Sequence, residues 1–180
     1  MNPIILLASL AFALAGQAAE PLPQPVAFRV GPLLFDRPAD WQWVKPEGSF
    51  RVAQLEKTGP GKTPMVMAFS RFPAGAGGNV QANIERWVRQ FSRTSSPAEV
   101  QTLTASSGPV TRVKIRGSLN GGTPGGPAKE IPDALLLGAI LETDEGTIVV
   151  KLAGPNSALA AEEKTFSNLI SAATAKKSNP

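Results

Sequence analysis

Three cations alternate along one predicted strand of this 180-residue chain. Arg112, Lys114 and Arg116 are separated by Val113 and Ile115, so the charged side chains lie on one face of the strand and the apolar ones on the other. Such a row is typical of a solvated sheet face, or of an edge strand that charge protects from aggregation. It is also suited to contact an anionic glycan, a lipid head group or an acidic protein. These three cations are therefore a candidate binding site.

A second polar group lies on the clearest helix of the sequence, predicted over 79–91. Its apolar face repeats at helical spacing and consists of Val80, Ile84, Trp87, Val88 and Phe91. Beside that face, Asn83, Arg86 and Gln90 form a polar strip. Amides at the boundary of a buried face usually hydrogen-bond to the backbone of a neighbouring loop. Recognition of a ligand is the alternative, which makes the strip a second candidate binding site.

Glycines lead into this helix. Gly77 and Gly78 precede Asn79, which is a good N-cap residue. Because the first N–H groups of a helix can hold an anion, these three residues are a candidate anion site. An ordinary glycine-rich connection is the alternative. The dinucleotide-binding fingerprint is absent, because Val80 occupies the position of its third glycine.

The residue types that are missing exclude several kinds of chemistry. The chain has no histidine, cysteine or tyrosine. This absence excludes Ser-His-Asp and Cys-His nucleophiles, the usual zinc and copper sites, iron–sulfur clusters and disulfides. We predict no catalytic residue, no metal site and no cofactor. A hydrolase built on carboxylates stays open, although Asp144-Glu145 in a turn and Glu162-Glu163 on a helix do not resemble two groups facing across a cleft.

The charge balance bears on the partner. Eighteen Lys and Arg residues face 14 Asp and Glu residues, which gives a net charge of +4. These charges are spread thinly and form no nucleic-acid-binding motif. The predicted partner is an unidentified protein or an anionic polymer of the cell envelope. We do not expect binding to nucleic acid.

The first residues predict export. An apolar run over 4–15 ends before the small residues of Gly16–Ala19, which is the pattern of a secretory signal peptide over 1–18. The run is shorter than the roughly 20 apolar residues that a membrane span needs. We expect a secreted or periplasmic protein with no stable membrane insertion after signal removal. A Pro-rich lead follows over 19–25.

The remaining pattern predicts the elements that position these groups. Strands are expected over 26–30, 33–35, 41–44, 49–56, 65–72, 100–105, 110–118, 134–141 and 147–152. A second helix is expected over 154–173, a Gly/Pro loop over 120–132 and a disordered tail over 174–180. The continuously apolar segment 134–141 predicts a central strand covered on both faces. Short connections predict one α+β domain over 26–173, with a mostly antiparallel sheet of about six or seven strands covered by two main helices.

Two stretches carry a resemblance to a known family. The PsbP fold is resembled by two segments of the sequence. One runs from Phe35 to Trp41, and the other runs from Val149 through Gly154-Pro155 to the helix with Phe166. That fold is shared by an extrinsic subunit of photosystem II, a Ran-binding nuclear transport factor and exported bacterial proteins of unknown function. The resemblance implies an antiparallel sheet between helices, an α/β/α sandwich. It implies an accessory, binding or assembly role and transfers no catalytic residue to this chain.

These observations favour an exported, non-enzymatic binding or assembly module of the cell envelope. One alternative is a carboxylate-based hydrolase of an envelope polymer. Another is a structural protein that acts as an oligomer, with Trp41 and Trp43 as interface anchors.

Overall fold

A computed structural model describes residues 26–46, 50–121 and 129–175. The predicted signal peptide, the Pro-rich lead, the centre of the predicted Gly/Pro loop and residues 176–180 of the predicted tail lie outside the described residues.

Most of the described chain is β-strand. The strands are Ala27–Val30 (β1), Leu33–Asp36 (β2), Gln42–Val44 (β3), Arg51–Thr58 (β4), Pro64–Pro73 (β5), Phe91–Thr94 (β6), Glu99–Ala105 (β7), Gly108–Gly121 (β8), Lys129–Thr143 (β9) and Gly146–Pro155 (β10). The helices are Val80–Val88 (α1), Asn156–Leu159 (α2) and Glu163–Ala175 (α3), and short 3-10 turns lie at Pro60–Lys62 and Ala160–Glu162.

Eight of these strands form one antiparallel sheet. Its order is β3-β4-β5-β10-β9-β8-β6, and β7 pairs with β8 beyond the segment that pairs with β6. The strands β1 and β2 form a separate hairpin. The α+β class and the antiparallel sheet are thus confirmed. The physical reason is the shortness of the connections, since tight turns join antiparallel neighbours and cannot make parallel crossovers.

The central strand β9 divides the core. All of its residues from Ala134 to Leu141 are buried, as predicted from their continuous apolar character. One face contributes to the cluster that contains Phe166, Leu169 and Ile170 of α3. The other contributes to the cluster that contains Ile84 and Trp87 of α1. The cations of β8 lie on the α3 side, because their neighbours Val113 and Ile115 belong to the α1 cluster.

A glycine allows α1 to lie close to the sheet. A Cβ atom on Gly138 of β9 would be 2.3 Å from the ring of Trp87. The indole therefore occupies the space that any other side chain at position 138 would need. The predicted apolar face of α1 is correct where it includes Trp87 and Ile84, which are 3% and 8% exposed.

Several predicted boundaries were wrong. The predicted helix included Phe91, but α1 ends at Val88 and Phe91 begins β6. Phe91 packs in the same cluster as Ile84, so the apolar pattern alone could not separate helix from strand. The predicted loop over 120–132 is shorter, because backbone pairing extends β8 and β9 to Gly121 and Lys129. At the C-terminal end, α3 continues to Ala175.

Candidate functional site

A groove of about 520 Å³ lies between α3 and the strand pair β7–β8. Its floor includes Gln101 of β7 and Arg112 and Lys114 of β8, and its wall includes Glu163 and Ser167 of α3. The groove therefore contains two of the three cations predicted from the sequence. It forms because alternation on β8 directs these cations to the face that α3 covers.

Two members of the cationic row are paired with carboxylates. Lys114 Nζ lies 2.5 Å from one oxygen of Glu163, and Arg116 lies 3.2 Å from the other. Arg116 also lies 3.1 Å from Glu99 of β7. The prediction of an edge strand protected by charge was wrong, whereas the prediction of a solvated face is correct in part, since the side chains of Lys114 and Arg116 are 23% and 37% exposed. The helix α3 covers part of the row, and β7 and β6 pair with β8 on its outer side.

Arg112 is the exception in this row. Its Nη1 donates to Ser167 Oγ at 2.8 Å, and its Nη2 donates to Ser167 O at 3.3 Å and to Ser171 Oγ at 2.6 Å. Its buried Nε has no hydrogen-bond partner. Within the described part of the chain, no carboxylate pairs with Arg112. Among the residues that the structure describes, neutral oxygen atoms are therefore the partners of its charge.

A second, less charged cavity continues the groove past Arg112. It has a volume of about 320 Å³, and Arg112 and Ser171 line it together with Leu103, Val110 and Ala175. The guanidinium thus lines both cavities, the first with charged residues such as Lys114 and Glu163 and the second with apolar residues such as Leu103 and Val110. This arrangement is suited to a group that carries both a negative charge and an apolar part.

The polar strip of α1 does not converge on one site. Asn83 is 1% exposed, and its Nδ2 donates to the backbone oxygens of Gly77 and Asn79 at 3.1 and 3.0 Å. Its Oδ1 accepts from Arg86 at 3.0 Å. These bonds are the loop contacts that the sequence offered as the ordinary interpretation. Gln90 instead lies beyond the C-terminal end of α1, in the turn before β6.

Gln90 has a partner on the sheet. Its Oε1 accepts from Lys151 Nζ of β10 at 2.8 Å. Burial lowers the pKa of Lys151, and the charge of Arg51 lowers it further. A partly buried ammonium that donates to a neutral amide destabilises the folded state, and sequence reasoning did not identify this lysine.

The three residues at the start of α1 have structural roles. Asn79 Oδ1 accepts from Ala82 N at 2.8 Å, which is the predicted N-cap. A Cβ on Gly77 would lie 2.5 Å from Phe72, so a close approach explains this glycine. The carbonyl of Gly78 lies 3.5 Å from Asn83 Nδ2. Anion binding at this N-terminus stays a prediction, and the cap already uses one of its N–H groups.

An ion-pair cluster around the buried Glu162 was missed by sequence reasoning. Lys57 of β4 contacts Asp40 and lies 2.6 Å from Glu162, whose other oxygen accepts from Trp41 Nε1 at 3.2 Å. The hydrogen bond from Lys57 lowers the pKa of Asp40, and the bonds to Asp40 and Glu162 raise the pKa of Lys57. These residues are far apart in the chain, and no local pattern joins them.

Two kinds of feature, a membrane-spanning helix and a cluster of metal ligands, are absent from the described ranges. None of the helices there is long and apolar enough to cross a membrane. Nor do three or more acidic side chains come together there in a way that would hold a metal ion.

Comparisons with known proteins are sparse. No family model and no curated protein matches the chain. Solved structures do match it, among them PA94, a protein of unknown function from Pseudomonas aeruginosa. It has 12% sequence identity and a TM-score of 0.46, and the match covers 86% of this chain and 96% of PA94. The resemblance to the PsbP fold stays a prediction.

Proposed function

We propose that the protein is an exported, non-enzymatic binding or assembly module of the cell envelope that holds an anionic group of its partner at Arg112. The observation that carries this proposal is the guanidinium of Arg112, which lies in a groove and, within the described residues, hydrogen-bonds to serine oxygens. Carboxylates and phosphates are the groups that pair most strongly with a guanidinium.

Electrostatics favours an anion over a cation in this groove. Two cations, Arg112 and Lys114, line it together with the two carboxylates Glu99 and Glu163, and a third cation, Arg116, lies beside it and pairs with both carboxylates. The excess of one positive charge belongs to Arg112, since the other two cations are paired. An incoming anion therefore gains an attraction that no described side chain already satisfies.

The carboxylate hydrolase is less well supported. Asp40 and Glu162 are held close together, because both contact the same ammonium of Lys57. A glycosidase needs one carboxylic acid with a raised pKa, whereas the pKa of Asp40 is lowered. Glu162 is in addition 6% exposed and bound to Trp41. The pair therefore suits a structural role.

The oligomeric alternative loses one of its two anchors. Trp41 is 0% exposed and lies in the core, and Trp43 packs against the same cluster. An interface anchor has to be exposed in the free protein. The proposed role in binding does not depend on self-association.

The finer fold is part of the same proposal. We infer a PsbP-like arrangement in which α1 and α3 cover opposite faces of the sheet, which agrees with their separate core clusters. Export and a periplasmic or secreted location follow from the N-terminal sequence pattern alone.

The experiment that tests the binding role is a titration with capped glutamate, followed by NMR of the backbone amides of Ser167 and Ser171. We expect saturable shifts in the wild-type protein and their loss in Arg112→Gln. Capped glutamine controls for the charge of the probe. Arg89→Gln is the matched protein control, since Arg89 is exposed directly after α1 and its ion pair is with Glu85. Equal shifts in Arg112→Gln and the wild type would contradict the proposal.

A further inference from the structure

The strand β7 has one free edge beside the groove. It pairs with β8 from Glu99↔Lys114 to Ala105↔Gly108, and within the described residues no strand pairs with its other side. Residues 99–104 are exposed. Proteins usually block such an edge with proline, a bulge or inward charges. After Glu99, β7 contains no proline or charged residue, and its pairing with β8 has no register shift.

The register of β7 on β8 creates two different rows on the groove side. Gln101 is opposite Arg112, and Leu103 is opposite Val110. The first row holds the unpaired positive charge, and the second is apolar, with Leu103 39% exposed. The rows are two residues apart, which is the spacing of successive side chains on one face of a strand.

A strand added to this edge would meet both rows at once. It would lie about 4.8 Å from β7, and its alternate side chains would point to the groove side. An acidic side chain opposite the neutral Gln101 would extend towards Arg112. An apolar side chain two residues away would cover Leu103. An acidic residue opposite Glu99 is disfavoured, because like charges directly opposite each other destabilise a strand pair.

We propose that the edge of β7 binds an extended segment of another protein, in which an acidic residue and an apolar residue stand two positions apart. The proposal rests on the proposed function, because it uses Arg112 as the anion site. Backbone hydrogen bonds to β7 supply affinity, and the two rows supply specificity.

Charge complementarity separates this partner from a second copy of the chain. Two copies of β7 that pair antiparallel along all seven residues place Gln101 opposite Leu103, with Thr102 at the centre. This arrangement brings no carboxylate to Arg112. An acidic segment neutralises that charge, whereas a second copy leaves it uncompensated.

The test is a selection of random linear peptides displayed on phage against the immobilised protein. We expect enrichment of sequences with an acidic residue two positions from an apolar one. Synthetic copies of the enriched peptides should bind at least about tenfold more weakly to Arg112→Gln, which corresponds to about 1.4 kcal/mol. Binding to Arg89→Gln should be unchanged. Each peptide is also made in two versions, which are N-methylated at complementary sets of alternate residues. One version should lose binding, because only one set of N–H groups faces β7.

Three outcomes overturn the proposal: no enrichment, enrichment without an acidic residue, or binding that is as strong in both N-methylated versions as in the unmethylated peptide. A dimer in sedimentation that Leu103→Lys dissociates would also overturn it, in favour of a second copy. If capped glutamate still shifts Ser167 and Ser171 in these cases, the strand proposal fails and the anion site stands. If capped glutamate has no effect either, both proposals fail.

Discussion

The Nζ atom of Lys57 lies 2.6 Å from Oε1 of Glu162, although the two residues are 105 positions apart in the chain. This contact joins β4 to the 3-10 turn that precedes α3. The side chain of Glu162 is almost fully buried, with an exposure of 7%. The pair therefore helps to fix where α3 begins, and so the position of the groove wall.

Glu162→Gln should lower the free energy of unfolding by about 2–3 kcal/mol, because it removes the charge that faces Lys57 in a buried site. The matched control is Asp40→Asn, which removes the other partner of Lys57. Asp40 has a side-chain exposure of 62%, so its loss should cost about 0–1 kcal/mol. Urea denaturation measures both variants. Equal losses in the two would contradict a structural role for the buried pair.

Gly138→Ala should destabilise the protein by about 1–3 kcal/mol, because the new methyl group overlaps the indole of Trp87. Thermal unfolding of the single variant checks the direction. The specific check is the same substitution in a Trp87→Leu background, where the smaller side chain leaves room. There the additional cost of Gly138→Ala should be clearly smaller. An unchanged cost would mean that the overlap is not the cause.

Lys151→Met should stabilise the protein at neutral pH, because burial disfavours the charged lysine and lowers its pKa. Between that lowered pKa and the ordinary lysine pKa of 10.5, the unfolded chain binds more protons at this position than the folded chain. The stability of the wild type therefore rises with pH in this window, relative to the variant. Denaturant unfolding at several pH values should show the difference narrowing as the pH rises.

The exposed Lys164→Met variant, measured in parallel, controls for loss of a surface lysine. A stability difference between the wild type and Lys151→Met that widens with rising pH would contradict the assignment.

Glu163→Gln should strengthen the binding of capped glutamate, because it removes the carboxylate that pairs with Lys114 and leaves Arg116 with Glu99 as its carboxylate partner. The variant should lose only about 0–1 kcal/mol of stability, since these pairs are partly exposed. The same NMR titration measures the affinity, which should rise a few-fold and depend more steeply on salt. Weaker binding in Glu163→Gln would show that Glu163 itself contributes to the site.

Local patterns in the sequence sufficed for much of the framework. The apolar run of β9 required burial on both faces, and the alternation of Arg112 with Val113 on β8 set which side chains share a face. Asn79 before α1 was recognisable as a cap because capping involves residues only three positions apart. Each of these features depends on neighbours within one or two turns of the chain, so the sequence determines it directly.

Only the tertiary structure decided which surfaces meet. The cations of β8 were visible in the sequence, but their cover by α3 depends on a contact between positions 49 residues apart for Lys114 and Glu163. The same holds for Gln90 with Lys151, which divides the predicted polar strip between two places. Periodicity states that a face is polar or apolar and does not state what lies against it. That choice follows from the packing of the whole core, which no local pattern contains.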